Sequence, residues 1–123
     1  MRLYISGPMR GYKYFNFPEF DHAAGILRAK GHTVFNPAEH DREGYPEIEW
    51  MPGFNEGDPD HCPGWNVREA FRWDVDRIFE SDGIVTLTGW WMSRGAQAEV
   101  SLACVIGVPL YRLANYALKE GPW

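Results

Sequence analysis

The sequence has no excess of basic charge, no cysteine framework and no long hydrophobic run, and each absence removes a class of function. Twelve Lys and Arg stand against 17 Asp and Glu, a formal charge of −5. A protein that tracks polymeric nucleic acid concentrates cations on one face, so no such partner is expected. A single small anion is not excluded, because one helix N-terminus and one Arg can hold a phosphate at any global charge. The two cysteines, Cys62 and Cys104, lie far apart. Cys104 sits in the apolar run Leu102 to Ile106, which reads as the buried side of a helix, and no disulfide is implied. Met1-Arg2 leads directly into Leu3-Tyr4-Ile5-Ser6-Gly7, and the apolar stretch Leu102 to Tyr111 is broken by Gly107 and Pro109. Neither secretion nor a membrane span is expected, and a reduced cytoplasm is the expected setting. Asp58-Pro59-Asp60-His61-Cys62 contains metal-ligand types but lacks a second pair at ligand spacing, since His22, His32 and His40 fall in unrelated elements. No metal and no cofactor is expected.

What the sequence has is apolar and aromatic content, 45% and 15%, enough for one compact domain over its 123 residues. Residues 2 to 6 form a β-rich run that stops at Gly7-Pro8, and Phe17, Phe20, Ala24 and Leu27 recur at helical spacing before Gly31. His32 to Phe35 reads as a second strand, which makes a βαβ unit. From about 38 to 66 no period is sustained, and this segment is expected to be a loop or lid inserted in the domain. Asn66 is placed to cap a helix running to about Ser81. Gly83 to Thr88 is the clearest buried strand, Gly95 to Ile106 a further helix, and Val108 to Leu113 a last strand. The sum is an α/β fold: an open parallel sheet in a flavodoxin-like or Rossmann-like three-layer sandwich, whose ligands bind beyond the carboxyl ends of the strands. The loops after Ser6 and after Thr88 are therefore the ones expected to hold a ligand.

Two acidic residues stand on stripes that otherwise read as apolar. On the Asn66 helix, Val67, Ala70, Phe71, Asp74, Val75, Ile78 and Phe79 share one face at steps of three and four, while Asp76, Arg72, Trp73, Arg77 and Glu80 share the other, a solvated surface. On the next helix Ala96, Glu99, Ala103 and Ile106 share a face, with Glu99 one turn from the start. A buried carboxylate requires a partner or a role. The helix N-terminus favours an ionised Glu99, whereas apolar surroundings raise the pKa of Asp74 so that it holds a proton. Retaining glycoside chemistry divides the work this way, one carboxylate attacking the anomeric carbon and an acid protonating the departing group. Ser6-Gly7-Pro8-Met9-Arg10-Gly11 offers glycines where a backbone approaches a ligand and an Arg for an anion, and it leads into a segment with aromatics for a sugar or base. Trp90 and Trp91 follow the third strand, where one can stack on a base or pack against the lid.

Taken together, Tyr4 to Gly11, the Asp74 helix with Ser81-Asp82-Gly83-Ile84-Val85, and Ser93-Arg94-Gly95-Ala96-Gln97-Ala98-Glu99 with Gly107-Val108-Pro109 resemble the nucleoside 2-deoxyribosyltransferase superfamily. That superfamily includes the 2′-deoxynucleoside 5′-phosphate N-hydrolases, and the chain looks most similar to a small phage-associated branch. The resemblance covers both ends and skips the middle. It implies a nucleophile at Glu99, an Asp at Asp74 that assists departure of the base, and a Tyr at Tyr4 that orients the nucleophile. Arg10 and Gly11 match the loop that holds a 5′-phosphate, and Ser93 with Gly95 would complete that cradle. The chain departs from the hydrolases at Pro8, where they carry a phosphate-binding Ser. It departs from the transferases at Ser93-Arg94-Gly95, where they carry an acidic residue and a glycine, and Arg94 becomes a replacement anion contact. The resemblance also implies a homodimer or larger homo-oligomer.

Three function classes follow. In the first, Glu99 attacks C1′ of a deoxynucleoside or its 5′-monophosphate, a glycosyl-enzyme forms, and water or another base resolves it. The second is a nucleotide-binding or sensing module that cleaves nothing, and the third a glycohydrolase acting on a dinucleotide such as NAD.

Overall fold

A computed structural model describes residues 1–123. Five strands form one sheet in the order β2-β1-β3-β4-β5: β1 (Arg2–Ser6), β2 (Thr33–Phe35), β3 (Gly83–Thr86), β4 (Leu110–Ala114) and β5 (Ala117–Glu120). The first four are parallel, and β5 returns antiparallel to β4, pairing Leu113 with Leu118. Four helices accompany them: α1 (Phe17–Ala29), α2 (Pro37–Gly44), α3 (Val67–Phe79) and α4 (Arg94–Ile106). The fold is an α/β three-layer sandwich. β1 leads outward to β2 and β3 leads outward to β4, so the strand order reverses between β1 and β3. At such a reversal neighbouring loops diverge and leave a crevice. No helix is long and apolar enough to cross a membrane.

The core lies on both faces of the sheet. One cluster joins Leu3, Ile5 and Val85 to Phe17, Phe20, Ala24 and Leu27 of α1, the stripe expected at helical spacing. A smaller one joins Tyr4 and Ile84 to Ile78 of α3 and Ala103 of α4. Residues two apart on a strand share a face, so Tyr4 and Ser6 both look toward the α3 and α4 layer while Leu3 and Ile5 look toward α1.

Several expectations are corrected. Residues 37–44 are helical rather than irregular, because Asn36 caps α2 by accepting from the Ala38 N–H at 3.0 Å and Pro37 occupies the first turn. The sequence around α2 is too polar to show a period. β5 was not expected: Asn115 and Tyr116 take left-handed φ values of 51° and 60°, the geometry of a tight hairpin, without the glycine that usually announces it. The α3 stripe is turned from its expected orientation. Only Ile78 is fully buried, Val67 and Phe79 are 57% and 60% exposed, and Trp73, expected outside, packs on the smaller cluster and stacks on His40 at 3.9 Å. Cys104, expected inside, is exposed, and Cys62 is buried.

Residues beyond α2 are bound into the structure by Ile48, Phe54 and Cys62, which join the larger cluster. This segment closes over the loop after β1. The Gly11 N–H donates to the Gly57 carbonyl at 2.8 Å, and the Tyr14 N–H to that of Asn55 at 3.3 Å. Gly57 has φ +67°, and a Cβ there would lie 2.2 Å from the Tyr12 carbonyl oxygen. Gly57→Ala is therefore expected to destabilise the protein by about 2 kcal/mol or more, combining left-handed strain with a backbone collision. Thermal or urea melts measure it, and an unchanged melt contradicts this packing.

Candidate active site

Glu99 is set by two local features. Ser93 caps α4, its Oγ accepting from the Ala96 N–H at 3.2 Å, which places Glu99 on the inner face in the second turn. β1 then supplies two hydroxyls from the same face of the strand. Tyr4 Oη donates to Glu99 Oε2 at 2.8 Å and Ser6 Oγ to Oε1 at 2.7 Å, so each carboxylate oxygen receives one hydrogen bond. Glu99 is only 5% exposed, and Tyr4 and Ser6 are fully buried.

Asp74 approaches from α3 and interacts with both Glu99 and the Tyr4 hydroxyl. Burial, followed by the negative charge of Glu99, pushes the Asp74 carboxyl up to about 9. Burial also raises Glu99, but the hydrogen bonds from Ser6, Tyr4 and Asp74 oppose it. Burial and the two neighbouring acids hold the Tyr4 phenol well above its ordinary range, so it remains a donor. Within the pair the proton therefore belongs on Asp74 and the charge on Glu99. One ionised carboxylate with two fixed donors, beside a protonated carboxylic acid, can supply a nucleophile and an acid to the same bond.

Sequence reasoning missed a third acid. Asp41 of α2 is buried, and burial first, then the neighbouring acid Asp74, push it up to about 7, against the opposing pull of Arg42. Its signal lay in Asn36-Pro37, a cap followed by a first-turn proline. A helix started there puts Ala38 and Asp41 three apart on one face, and both are buried.

The other expected contacts are distributed differently. The Ser6 hydroxyl is engaged by Glu99. Gly7 is a packing glycine, since a Cβ there would lie 2.7 Å from Leu87 Cβ. Arg10 is largely exposed, with Asp60 at 3.9 Å, and the Gly11 N–H is bonded to Gly57. Ser93 serves as the helix cap, with Arg94 and Gly95 exposed in the first turn of α4. Trp90 is half-buried, donates Nε1 to the Trp123 carbonyl at 3.2 Å and meets Trp91 edge-on. Tyr4, Ser6, Asp74 and Glu99 thus converge, while Arg10, Gly11, Trp90 and Ser93 to Gly95 lie on the surrounding loops. Within the former metal-ligand candidate, His61 Nδ1 contacts Asp58 at 2.5 Å, and no group of three His, Cys, Asp or Glu converges for a metal anywhere in the chain.

The family described as "Domain of unknown function (DUF4406)" matches residues 1–112. No curated protein matches. A solved structure of a 2-deoxyribosyltransferase from the psychrotolerant bacterium Bacillus psychrosaccharolyticus superposes with a TM-score of 0.63 at 23% identity, covering 91% of this chain and 71% of its own. The fold is shared with that protein.

The carboxyl pair links stability to pH. An aspartate in an unfolded chain loses its proton near about pH 3.9, whereas folded Asp74 keeps it to about 9. Between those limits the folded state binds the additional proton, so stability falls as pH rises. Asp41, raised to about 7, adds to the fall on the acid side of that value. Asp74→Asn removes the larger share: its Tm is expected to exceed that of the unmodified protein at pH 8 and to decline less between pH 5 and 9. Parallel declines in the two proteins would contradict the placement of the proton.

Proposed function

This chain belongs to the DUF4406 family, and from its carboxyl pair we propose that it cleaves or transfers the N-glycosidic bond of a deoxynucleoside or deoxynucleoside 5′-monophosphate through a glycosyl-enzyme on Glu99. The observation that carries the reading is the Glu99 carboxylate, held by Tyr4 and Ser6 and faced by a protonated Asp74. A buried glutamate and a half-buried aspartate whose shared proton is pushed onto the aspartate form the arrangement expected of nucleophile and acid. The shared fold with a 2-deoxyribosyltransferase agrees with it.

In this mechanism a Glu99 oxygen attacks C1′, and the C1′–N bond breaks with its electron pair going to the base. Asp74 gives its proton to the departing base. Tyr4 and Ser6 fix the attacking oxygen and keep Glu99 ionised. Water or a second base then attacks C1′ from the opposite side and releases Glu99, its proton returning to Asp74. The helix start at Ser93, Arg94 and Gly95, together with Arg10, is the proposed anion contact, with Trp90 at the base side. The segment 38–66 acts as a lid over the loop after β1, and the Gly11 to Gly57 hydrogen bond is its latch. That bond occupies an N–H that a phosphate would need, and so favours a free deoxynucleoside over its 5′-monophosphate as the substrate.

Incubation with deoxynucleosides and their 5′-monophosphates, scored for free base by chromatography, tests the proposal. Turnover is expected, with Glu99→Gln losing about a thousandfold or more in kcat while the fold is retained. Tight binding without release of base, or a Glu99→Gln variant that remains active, overturns the proposal. Tyr4→Phe removes one donor from Glu99. It is expected to lower kcat about 10- to 100-fold and to move the acid limb of the pH profile upward, because a carboxylate with fewer donors holds its proton to higher pH. An unmoved acid limb contradicts the role given to Tyr4.

A further inference from the structure

The proposed reaction leaves the carboxyl of Asp41 without a task. Asp41 is only 7% exposed, and no N–H or O–H of the chain donates to it. The adjacent Arg42 turns its guanidinium to Asp21 instead, at 2.8 Å. Neither Asp41 oxygen is sealed off, however, since the one fully enclosed side-chain atom without a partner is Arg77 Nε. A carboxyl stripped of most of its water, given no donor by its own chain and still open to a small space, is poised to receive a donor from a ligand.

Its place in the fold says which part of a ligand it meets. β2 borders β1 and β4 borders β3, so α2, which follows β2, and α4, which leads into β4, approach the crevice from opposite sides. α3 touches both: Trp73 stacks on His40 of α2 at 3.9 Å, and Ile78 shares a cluster with Ala103 of α4. Asp41 and Asp74 each follow directly on a member of that stacked pair. The charges that bear on Asp41 are those of Asp74 and Arg42, whereas Glu99 bears on Asp74 and Tyr4. Across the crevice the order is therefore Glu99, Asp74, Asp41. With Glu99 at C1′ and Asp74 at a ring nitrogen of the departing base, Asp41 lies beyond Asp74, against the far edge of that base.

We propose that Asp41 accepts a hydrogen bond from an exocyclic amino group of the base, so that the site selects amino bases, adenine and cytosine, over the oxo bases hypoxanthine and uracil. This deepens the glycosidic reading and rests on it. Adenine carries its N6 amino donor beside the N7 acceptor. Asp74, holding its proton, donates to the ring nitrogen, and Asp41 accepts from the amino group next to it. Hypoxanthine sets a carbonyl oxygen at that position, where it meets an acceptor and leaves Asp41 unpaired. Sites built to pair a donor discriminate strongly against an analogue that lacks it.

Calorimetric titration with free adenine and free hypoxanthine tests the proposal without turnover, since neither has a glycosidic bond. At pH 8, above the value of about 7 to which Asp41 is raised, the unmodified protein is expected to bind adenine about tenfold or more tightly than hypoxanthine. Asp41→Asn, whose amide serves either base, should bring the two affinities within about threefold, chiefly by loss of adenine binding. Asp41→Ser is expected to do the same and replaces Asp41→Asn if that variant fails to fold. Equal affinities in the unmodified protein, or a preference that survives both substitutions, overturns the proposal. An Asp41-dependent preference for adenine in a protein that releases base from no deoxynucleoside would instead retain Asp41 as the base-reading group and overturn the glycosidic reading.

Discussion

The structure depends on keeping an ionised glutamate inside an α/β core. Removing a carboxylate from water costs several kcal/mol unless donors replace the lost hydration, and here two hydroxyls do so, one on each oxygen. Both come from β1, where alternation puts Tyr4 and Ser6 on the same face. Both also sit where the strand order reverses, the one place in such a sheet where a side chain at a strand end faces a crevice rather than another strand. Asp74 completes the balance. With Glu99 charged, a second negative charge alongside is unfavourable, so Asp74 stays protonated until well above neutrality. The site accordingly holds an acid and a conjugate base side by side, and that asymmetry is the chemical resource from which the proposed reaction follows.

The same arrangement explains why α3 is held loosely. A helix that must bring a carboxyl to the site cannot turn its richest apolar stripe inward, and the inward positions go to Ala70, Asp74 and Ile78 while Val67, Phe71, Val75 and Phe79 lie along the flank. Stability is thereby given up at the core to position one acid, a familiar exchange at functional sites. Asp41 adds to this tension. Asp74 neighbours both Glu99 of α4 and Asp41 of α2, and burial raises all three carboxyls.

Much of this was legible in the sequence where a local signal coincided with a tertiary one. The strands β1 and β3 are apolar runs bounded by turn residues, α1 shows its stripe, and Asn66 and Ser93 cap α3 and α4 as their types suggest. Glu99 and Asp74 were visible because an acidic residue interrupts an apolar period. The helical period alone could not tell how a stripe is rotated about its axis: the reading placed Phe79 and Cys104 inside and Trp73 outside, and contact with neighbouring helices decided the opposite in each case. α2 was hidden by its polarity, although its cap and proline were present, and with it Asp41. The hairpin to β5 was hidden because Asn115-Tyr116 adopts a turn that more often carries glycine. Ser6 was read as a ligand contact, but its proximity to Glu99 depends on the register of two elements more than ninety residues apart.

The most direct measurement is covalent trapping. A deoxynucleoside analogue carrying fluorine at C2′ slows breakdown of a glycosyl-enzyme, because the electron-poor sugar resists the oxocarbenium-like transition state through which such intermediates decompose. Intact-protein mass spectrometry after incubation with this analogue, followed by peptide mapping, should show one added fluorodeoxyribosyl group, located on Glu99 and absent from Glu99→Gln. Attachment at Asp74 or elsewhere, or release of base from the natural substrate with no adduct from the analogue, would contradict the assignment of Glu99 as the attacking group.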